Sequence, residues 1–285
     1  MKTNSLLINL NNRLVDLSVP VVMGIVNVTP DSFFAGNRFV TDKSILSGVE
    51  KMVHDGAAII DIGGYSTRPL AEIITQDEEI RRISQGLEVI LKKYPDVVIS
   101  VDTFRSGVAR DVVKNFGVAM INDVSGGTLD DLMFETIADL KVAYVLMHMR
   151  GTPQTMQLNL SYEDVVSEVL HFLAKRLAQL HLLGVTDVVV DPGFGFAKTI
   201  DQNYLLLNKL EYFQQLNVPI LAGLSRKSML TKTLGIDAND ALNATTAANM
   251  LALLGGSSIL RVHDVKEAVQ AINIYKKYSV NQIID

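Results

Sequence analysis

Eight times along this chain a short, largely apolar run, nearly always ending in a polar or charged group, is followed by a segment with helical spacing. The runs are 21–28, 58–62, 97–101, 119–121, 142–147, 188–190, 219–222 and 258–262. The helical segments between and after them are 43–54, 77–93, 106–115, 130–139, 162–183, 202–214, 240–254 and 265–278. In 162–183 the apolar positions are 165, 166, 169, 170, 173, 177 and 180, one face of a 3.6-residue repeat. Near-continuous apolar runs of this kind belong to strands covered on both faces. Eight such strands, each followed by a helix, close most economically into a (β/α)8 barrel. An open doubly wound sheet is the alternative, and the absence of a G-x-G-x-x-G turn after the first run weighs against it.

The chain has 285 residues, 48% hydrophobic and 20% charged, enough for one large core. Residues 1–20 read as an N-terminal ribbon turning at Asn11-Asn12 and capping the underside of the fold, with 21–285 as the barrel. Net charge is −5 and there is no basic block, which disfavours nucleic acid as a partner. With no Cys, disulfides and thiolate metal sites are excluded. The N-terminus lacks a signal-peptide pattern and no apolar run reaches membrane-spanning length, so the expectation is a cytoplasmic protein without membrane contact.

In a (β/α)8 barrel the strand exits meet at one mouth, where the active site sits. The exits carry Asn27; Gly63, Gly64, Ser66, Thr67 and Arg68; Asp102; Asn122 and Asp123; Met147 and His148; Asp191; Gly223, Ser225, Arg226 and Lys227; Arg261 and His263. A single strand-end Asp is most often a helix cap. Eight polar exits in register are harder to assign to capping. Asp102, Asn122 and Asp191 offer acceptors and one amide, suited to a ring with several N–H donors. Arg68, Lys227, Arg261 and His263 suit a phosphate or pyrophosphate. Asn27 is either a turn amide or an oxygen ligand for Mg²⁺, the remaining ligands then coming from substrate phosphates. The segment D-P-G-F-G-F-A-K (191–198) is either a pocket wall for a flat ligand or a turn with Phe plugging the core. No H-x-H or H-E-x-x-H spacing supports a protein-caged zinc.

Eight segments in order resemble the dihydropteroate synthase family: G-I-V-N-V-T-P-D-S-F (24–33), D-I-G-G-Y-S-T-R-P (61–69), S-V-D-T (100–103), I-N-D-V-S-G (121–126), H-M-R-G-T-P (148–153), D-P-G-F-G-F-A-K (191–198), S-R-K-S (225–228) and R-V-H-D (261–264). The resemblance implies a folate-pathway transferase that joins 6-hydroxymethyl-7,8-dihydropterin diphosphate to 4-aminobenzoate with Mg²⁺ as cofactor. It implies a pterin site of Asp102, Asn122, Met147, Asp191, Gly223 and Lys227. Diphosphate falls to Asn27, Thr67, Arg68, Arg261 and His263, with Asn27 on the metal. Aminobenzoate falls to Thr67, Arg68, Pro69, Phe196, Lys227 and Ser228. Asp102, Asp191, Lys227 and Arg261 are the expected catalytic set, and a homodimer through late helices is expected. One departure stands out: where the family commonly reads S-D-G-G after T-P-D-S-F, this chain reads Phe34-Ala35-Gly36-Asn37, so the usual loop acid is absent.

Three other readings compete. A corrinoid-linked pterin methyltransferase barrel would share the Asp and Asn exits but would not need S-T-R-P, S-R-K or R-V-H-D. A Schiff-base aldolase would use Lys227, a weak signal alone. A pterin-binding paralogue without turnover would share the fold.

Overall fold

The computed structural model describes residues 6–29, 42–66, 72–158 and 160–281. Thr67, Arg68, Pro69 and Ala35 lie outside them. The ribbon pairs β1 (Leu7–Leu10) antiparallel with β2 (Arg13–Asp16), Leu10 opposite Arg13. Its two turn residues, Asn11 and Asn12, have φ of 53° and 60°. That left-handed pair matches strand twist in a two-residue hairpin, and Asn tolerates it better than most residues.

The barrel strands are β3 (Val21–Asn27), β4 (Ile59–Gly63), β5 (Ile99–Asp102), β6 (Met120–Asp123), β7 (Ala143–Met147), β8 (Val188–Asp191), β9 (Leu221–Ala222) and β10 (Ile259–Val262). All eight pair in parallel, in the order β8-β7-β6-β5-β4-β3-β10-β9. A parallel bridge between Val190 and Ile220 brings β8 back to β9, with Val190 N donating to Pro219 O at 2.9 Å. The expected (β/α)8 barrel is therefore the fold.

Around it run α1 (Asp42–His54), α2 (Gln76–Lys93), α3 (Ser106–Phe116), α4 (Met133–Leu140), α5 (Val165–Leu182), α6 (Ile200–Asn208), α7 (Ser228–Leu234), α8 (Leu242–Leu254) and α9 (Val265–Asn281). Local chemistry sets several ends. Asp164 accepts from Val166 N and Ser167 N to start α5, and Thr199 with Gln202 forms a capping box on α6. Two elements differ from the sequence expectation. The segment 202–214 divides into α6 and a 3-10 stretch, Leu210–Leu216, because the buried Leu210 and Phe213 lie three apart and a 3-10 turn puts that spacing on one face. The seven-residue α7 was not expected. It buries only Met229 and Leu230, too short a pattern to register as helical periodicity.

Side chains alternate along each strand. Ile60, Ile62, Val101, Ile121, Tyr144, Leu146, Val190, Leu260 and Val262 face the helices in the large outer core. The inward positions at the bottom are apolar: Met23, Ile59, Met120, Val145, Val189, Leu221 and Ile259. The ribbon seals this end, inserting Ile8, Leu10 and Leu17 into the same cluster, each 1% exposed. Asn9 N donates to Asp187 Oδ1 at 2.7 Å and Asn11 Nδ2 to Gly117 O at 2.8 Å, fixing the ribbon to the barrel floor. Two residues further along, the inward positions become Asp61, Asp102, Asn122, Met147, Asp191, Gly223 and Arg261, and the chemistry changes with them.

Candidate active site

One wall of the mouth is a charge network spanning four strands. Arg261 on β10 donates from Nε to Asp61 Oδ2 on β4 at 2.6 Å and from Nη2 to Asp102 Oδ2 on β5 at 2.7 Å. Asn122 on β6 donates from Nδ2 to the same Asp61 Oδ2 at 3.0 Å. Asp61 has no solvent exposure, while Asp102 and Arg261 reach the surface of the mouth. Burial pushes the Asp102 carboxyl up, to about 7; Arg261 pulls it down and the Asp61 charge pushes it back up. For Arg261 burial disfavours the charge, but Asp61 and Asp102 outweigh it and leave the guanidinium raised.

The opposite wall is built by the loop that leaves β8. Asp191 accepts from Gly193 N at 2.7 Å, and burial raises its carboxyl against the charges of Lys227, Lys198 and Arg261. Gly193 has φ 73°, and a Cβ there would sit 2.0 Å from His148 O, so only glycine fits. Lys198 is 4% exposed, and its Nζ reaches Gly193 O at 2.9 Å, Phe196 O at 3.0 Å and His148 Nδ1 at 3.0 Å. Burial lowers this lysine to about 7, Asp191 resisting. The His148 imidazole is lowered to about 2, by burial and then by Lys198 and Arg150; it is therefore neutral and accepts from the lysine. Asn203 completes the brace, taking Gly195 N on its Oδ1 at 2.7 Å.

Lys227 comes in from the β9–α7 turn. Its Nζ lies 4.3 Å from the centre of the Phe196 ring, and its stem passes so close to Gly195 that a Cβ there would meet Lys227 Cδ at 3.0 Å. Burial lowers it to about 8, against the attraction of Asp191. Arg226, at φ 56°, pins this turn by a bidentate pair to Asp264, Nε–Oδ2 3.0 Å and Nη2–Oδ1 2.8 Å. Ser225 Oγ meets His263 Nδ1 at 2.9 Å. His263 is exposed at the rim, and the atoms packed around it, then Arg261, draw its imidazole below its usual value. Ser228 is exposed at the start of α7.

The mouth thus brings together Asp102, Asn122, Met147, Asp191, Lys227, Arg261 and Phe196. Asp123, one residue past Asn122, turns outward instead and takes Tyr144 Oη at 2.6 Å, Gly127 N and Ser125 N. Near the flanks of the 64–76 segment, Arg105 joins the buried Glu79 at 2.6 Å and donates to Ile74 O at 2.8 Å, and Tyr65 stacks edge-on against Phe104. Among the described residues no group of three or more His, Asp or Glu could hold a metal. Gly63 lies beside the Asn27 amide: a Cβ there would come within 3.7 Å of Asn27 Oδ1. One hard oxygen donor fits a cation that arrives with most of its ligands on a substrate.

Two residues of the mouth were not singled out from sequence. Asp61 sits inside the apolar run 58–62, and a carboxylate there was itself the signal, since one is almost never fully buried unpaired. Lys198 closes the D-P-G-F-G-F-A-K segment and gave no hint that it points inward.

Comparison with known proteins identifies the family. The family model described as pterin binding enzyme matches residues 23–263. The dihydropteroate synthase of Haemophilus influenzae is 40% identical over 268 residues, covering 93% of this chain and 96% of that protein. The Escherichia coli dihydropteroate synthase is 40% identical over 264 residues, covering 91% and 92%. Among solved structures, a Yersinia pestis dihydropteroate synthase with a sulfonamide drug complex superposes with a TM-score of 0.90 at 34% identity, covering 96% of this chain and 99% of that one. The Xanthomonas albilineans dihydropteroate synthase with 4-aminobenzoic acid gives 0.88 at 36%, covering 97% and 99%. This chain belongs to the pterin-binding enzymes and, among them, to the dihydropteroate synthase family.

Proposed function

We propose that the barrel mouth divides the dihydropteroate synthase reaction among a pterin, a diphosphate and an aminobenzoate set of residues. The single observation that supports this division is the inward layer itself: acceptors and a buried amide in register on β5, β6 and β8, with Arg261, Lys227 and His263 at their edge. Asp102, Asn122 and Asp191 take the N–H edge of the pterin. Met147 and the open backbone at Gly223 bound the ring, and Lys227 faces it from the β9 side. Arg261 and His263, with Thr67 and Arg68, receive the diphosphate. Asn27 supplies one oxygen to Mg²⁺, whose contribution when bound is to neutralise the departing phosphates. Phe196, Lys227 and Ser228, with Thr67, Arg68 and Pro69, form the aminobenzoate side.

The chemistry asks little of a base. The bond between the pterin methylene carbon and the diphosphate oxygen breaks with its electron pair going to diphosphate. The aryl amine nitrogen bonds to that carbon and then loses a proton. An uncharged aniline attacks without prior deprotonation, so orientation and charge neutralisation carry the rate. Arg261, kept charged by its carboxylates, suits the neutralising role. The expected homodimer would be served by exposed Leu251 and Leu254 on a groove of about 490 Å³ between α6 and α8. No helix among the described residues is long and apolar enough to cross a membrane, and the cytoplasm is the proposed compartment.

The test is incubation with 6-hydroxymethyl-7,8-dihydropterin diphosphate, 4-aminobenzoate and Mg²⁺, with mass detection of dihydropteroate. Folded protein that binds the pterin without product would identify a non-turning-over paralogue.

A further inference from the structure

We infer that Asp61 is a positioning residue for this reaction: one of its oxygens fixes which way the Asn122 amide faces the ligand and tethers Arg261 while the outer end of that guanidinium changes partner. The inference rests on the pterin and diphosphate reading above.

Asp61 Oδ2 receives both Asn122 Nδ2, at 3.0 Å, and Arg261 Nε, at 2.6 Å. A carboxylate only accepts, so the amide must turn its NH₂ toward Asp61 and leave its carbonyl oxygen as the group a ligand can meet. Asn122 is therefore an acceptor toward the ring and selects an N–H donor there. Without Asp61 the amide is free to rotate by half a turn and present the wrong polarity. Arg261 is held at two levels. Nε is bound to the fully buried Asp61, whereas Nη2 is bound to Asp102 at the ligand-facing surface. A pterin that engages Asp102 competes for Nη2 but leaves the Nε contact below it untouched. The guanidinium then keeps its place while its outer nitrogens become available to the anionic group.

Stability does not account for this carboxylate. Asp61 Oδ1 has no hydrogen-bond partner among the described residues, so half of this buried carboxylate's acceptor capacity goes unused there. Buried ionic clusters are often no more stable than apolar packing of the same volume. An aspartate here is better explained by what it orients.

The experiment compares wild type with Asp61→Asn and Asp61→Ala, measuring melting temperature, affinity for 6-hydroxymethylpterin, and the KM of each substrate. Asp61→Asn keeps the volume and one acceptor oxygen, so pterin affinity should be partly retained relative to Asp61→Ala. Loss of the charge should raise KM for the pterin diphosphate about 10-fold while KM for aminobenzoate stays unchanged. Asp61→Ala should weaken pterin binding about 10- to 100-fold and lose its preference over analogues whose matching N–H is replaced by an acceptor. Equal shifts in both KM values would mean general loosening of the barrel and overturn the inference. So would wild-type pterin affinity in both folded variants. A wild-type protein that fails to bind the pterin overturns the site reading and this inference with it.

Discussion

The lower and upper inward layers of this barrel are two residues apart on the same strands, yet they do opposite work. Ile59, Met120, Val189 and Ile259 pack against the ribbon; Asp61, Asn122, Asp191 and Arg261 line the mouth. The lower layer gains free energy by leaving water, about 1.5–3 kcal/mol for each fully buried side chain. The upper layer gathers carboxylates, an amide and a guanidinium whose desolvation opposes folding and whose mutual contacts only offset it. One step of the pleat separates a stability layer from a recognition layer. Changes below should therefore alter folding and leave affinity alone, and changes above should do the reverse.

The largest expected effect is below. Leu10→Ala removes a fully buried side chain of the ribbon from the barrel floor and should cost about 2–5 kcal/mol of stability. KM values of the protein that remains folded should not move; a changed pterin KM, measured beside a denaturant titration, would break the separation of layers. Next comes Asp191→Ala in the upper layer. It deletes a charge-assisted acceptor and should cost roughly 1.5–3 kcal/mol of pterin affinity by calorimetry, with little loss of melting temperature. Unchanged affinity in folded protein would remove Asp191 from the site.

The fold was legible because barrels repeat. Eight apolar runs separated by helical spacing leave few alternatives, and the polar residue ending each run already marks the mouth. What stayed hidden depends on direction rather than identity. Asn122 and Asp123 are adjacent and equally polar, but the pleat sends one inward and the other to Tyr144, and the run 119–121 was too short to fix its phase. By its charge alone Arg261 suits a phosphate. That it also bridges Asp61 and Asp102 follows from barrel closure, which places β10 across from β4 and β5, a relation no local spacing contains. Lys198 is silent in part for the same reason: besides carbonyls of its own loop it meets His148, fifty residues away.

Acidity should separate the two layers further, by about one decade of affinity or less. Asp102 is raised to about 7, by burial first, so its acceptor role is complete above that pH and fades as protonation sets in below it. Pterin affinity should accordingly fall as pH drops from about 8 to about 6. Stability should run the other way. Between its ordinary value of 3.8 and about 7 the folded state holds a proton that the unfolded state has lost, so this group's contribution diminishes as pH rises through that window. Asp102→Asn should flatten the affinity profile while leaving the lower layer untouched. A wild-type affinity that is flat from pH 5 to 8 would put Asp102 outside the titrating set.

The smallest expected effect tests whether the upper layer is itself one unit. Its charged wall is fixed by strand register, but its loop wall is fixed by side-chain hydrogen bonds to main chain. Asn203 holds that loop: its Oδ1 accepts from Gly195 N at 2.7 Å and its Nδ2 donates to Thr199 O at 2.7 Å. Gly195 in turn lies against the stem of Lys227, whose Nζ sits over Phe196. Asn203→Ala removes these bonds and strands a half-buried N–H, which should cost about 0.5–1.5 kcal/mol of stability. The loosened turn shifts Phe196 and Lys227 but does not touch Asp61, Asp102 or Asn122. KM for aminobenzoate should therefore rise a few-fold, roughly in proportion to a lost neutral hydrogen bond, while pterin affinity, which draws on Lys227 but keeps Asp102 and Asn122, falls by less. A matching loss of pterin affinity would show that the two walls move together, and that register alone does not hold the charged one.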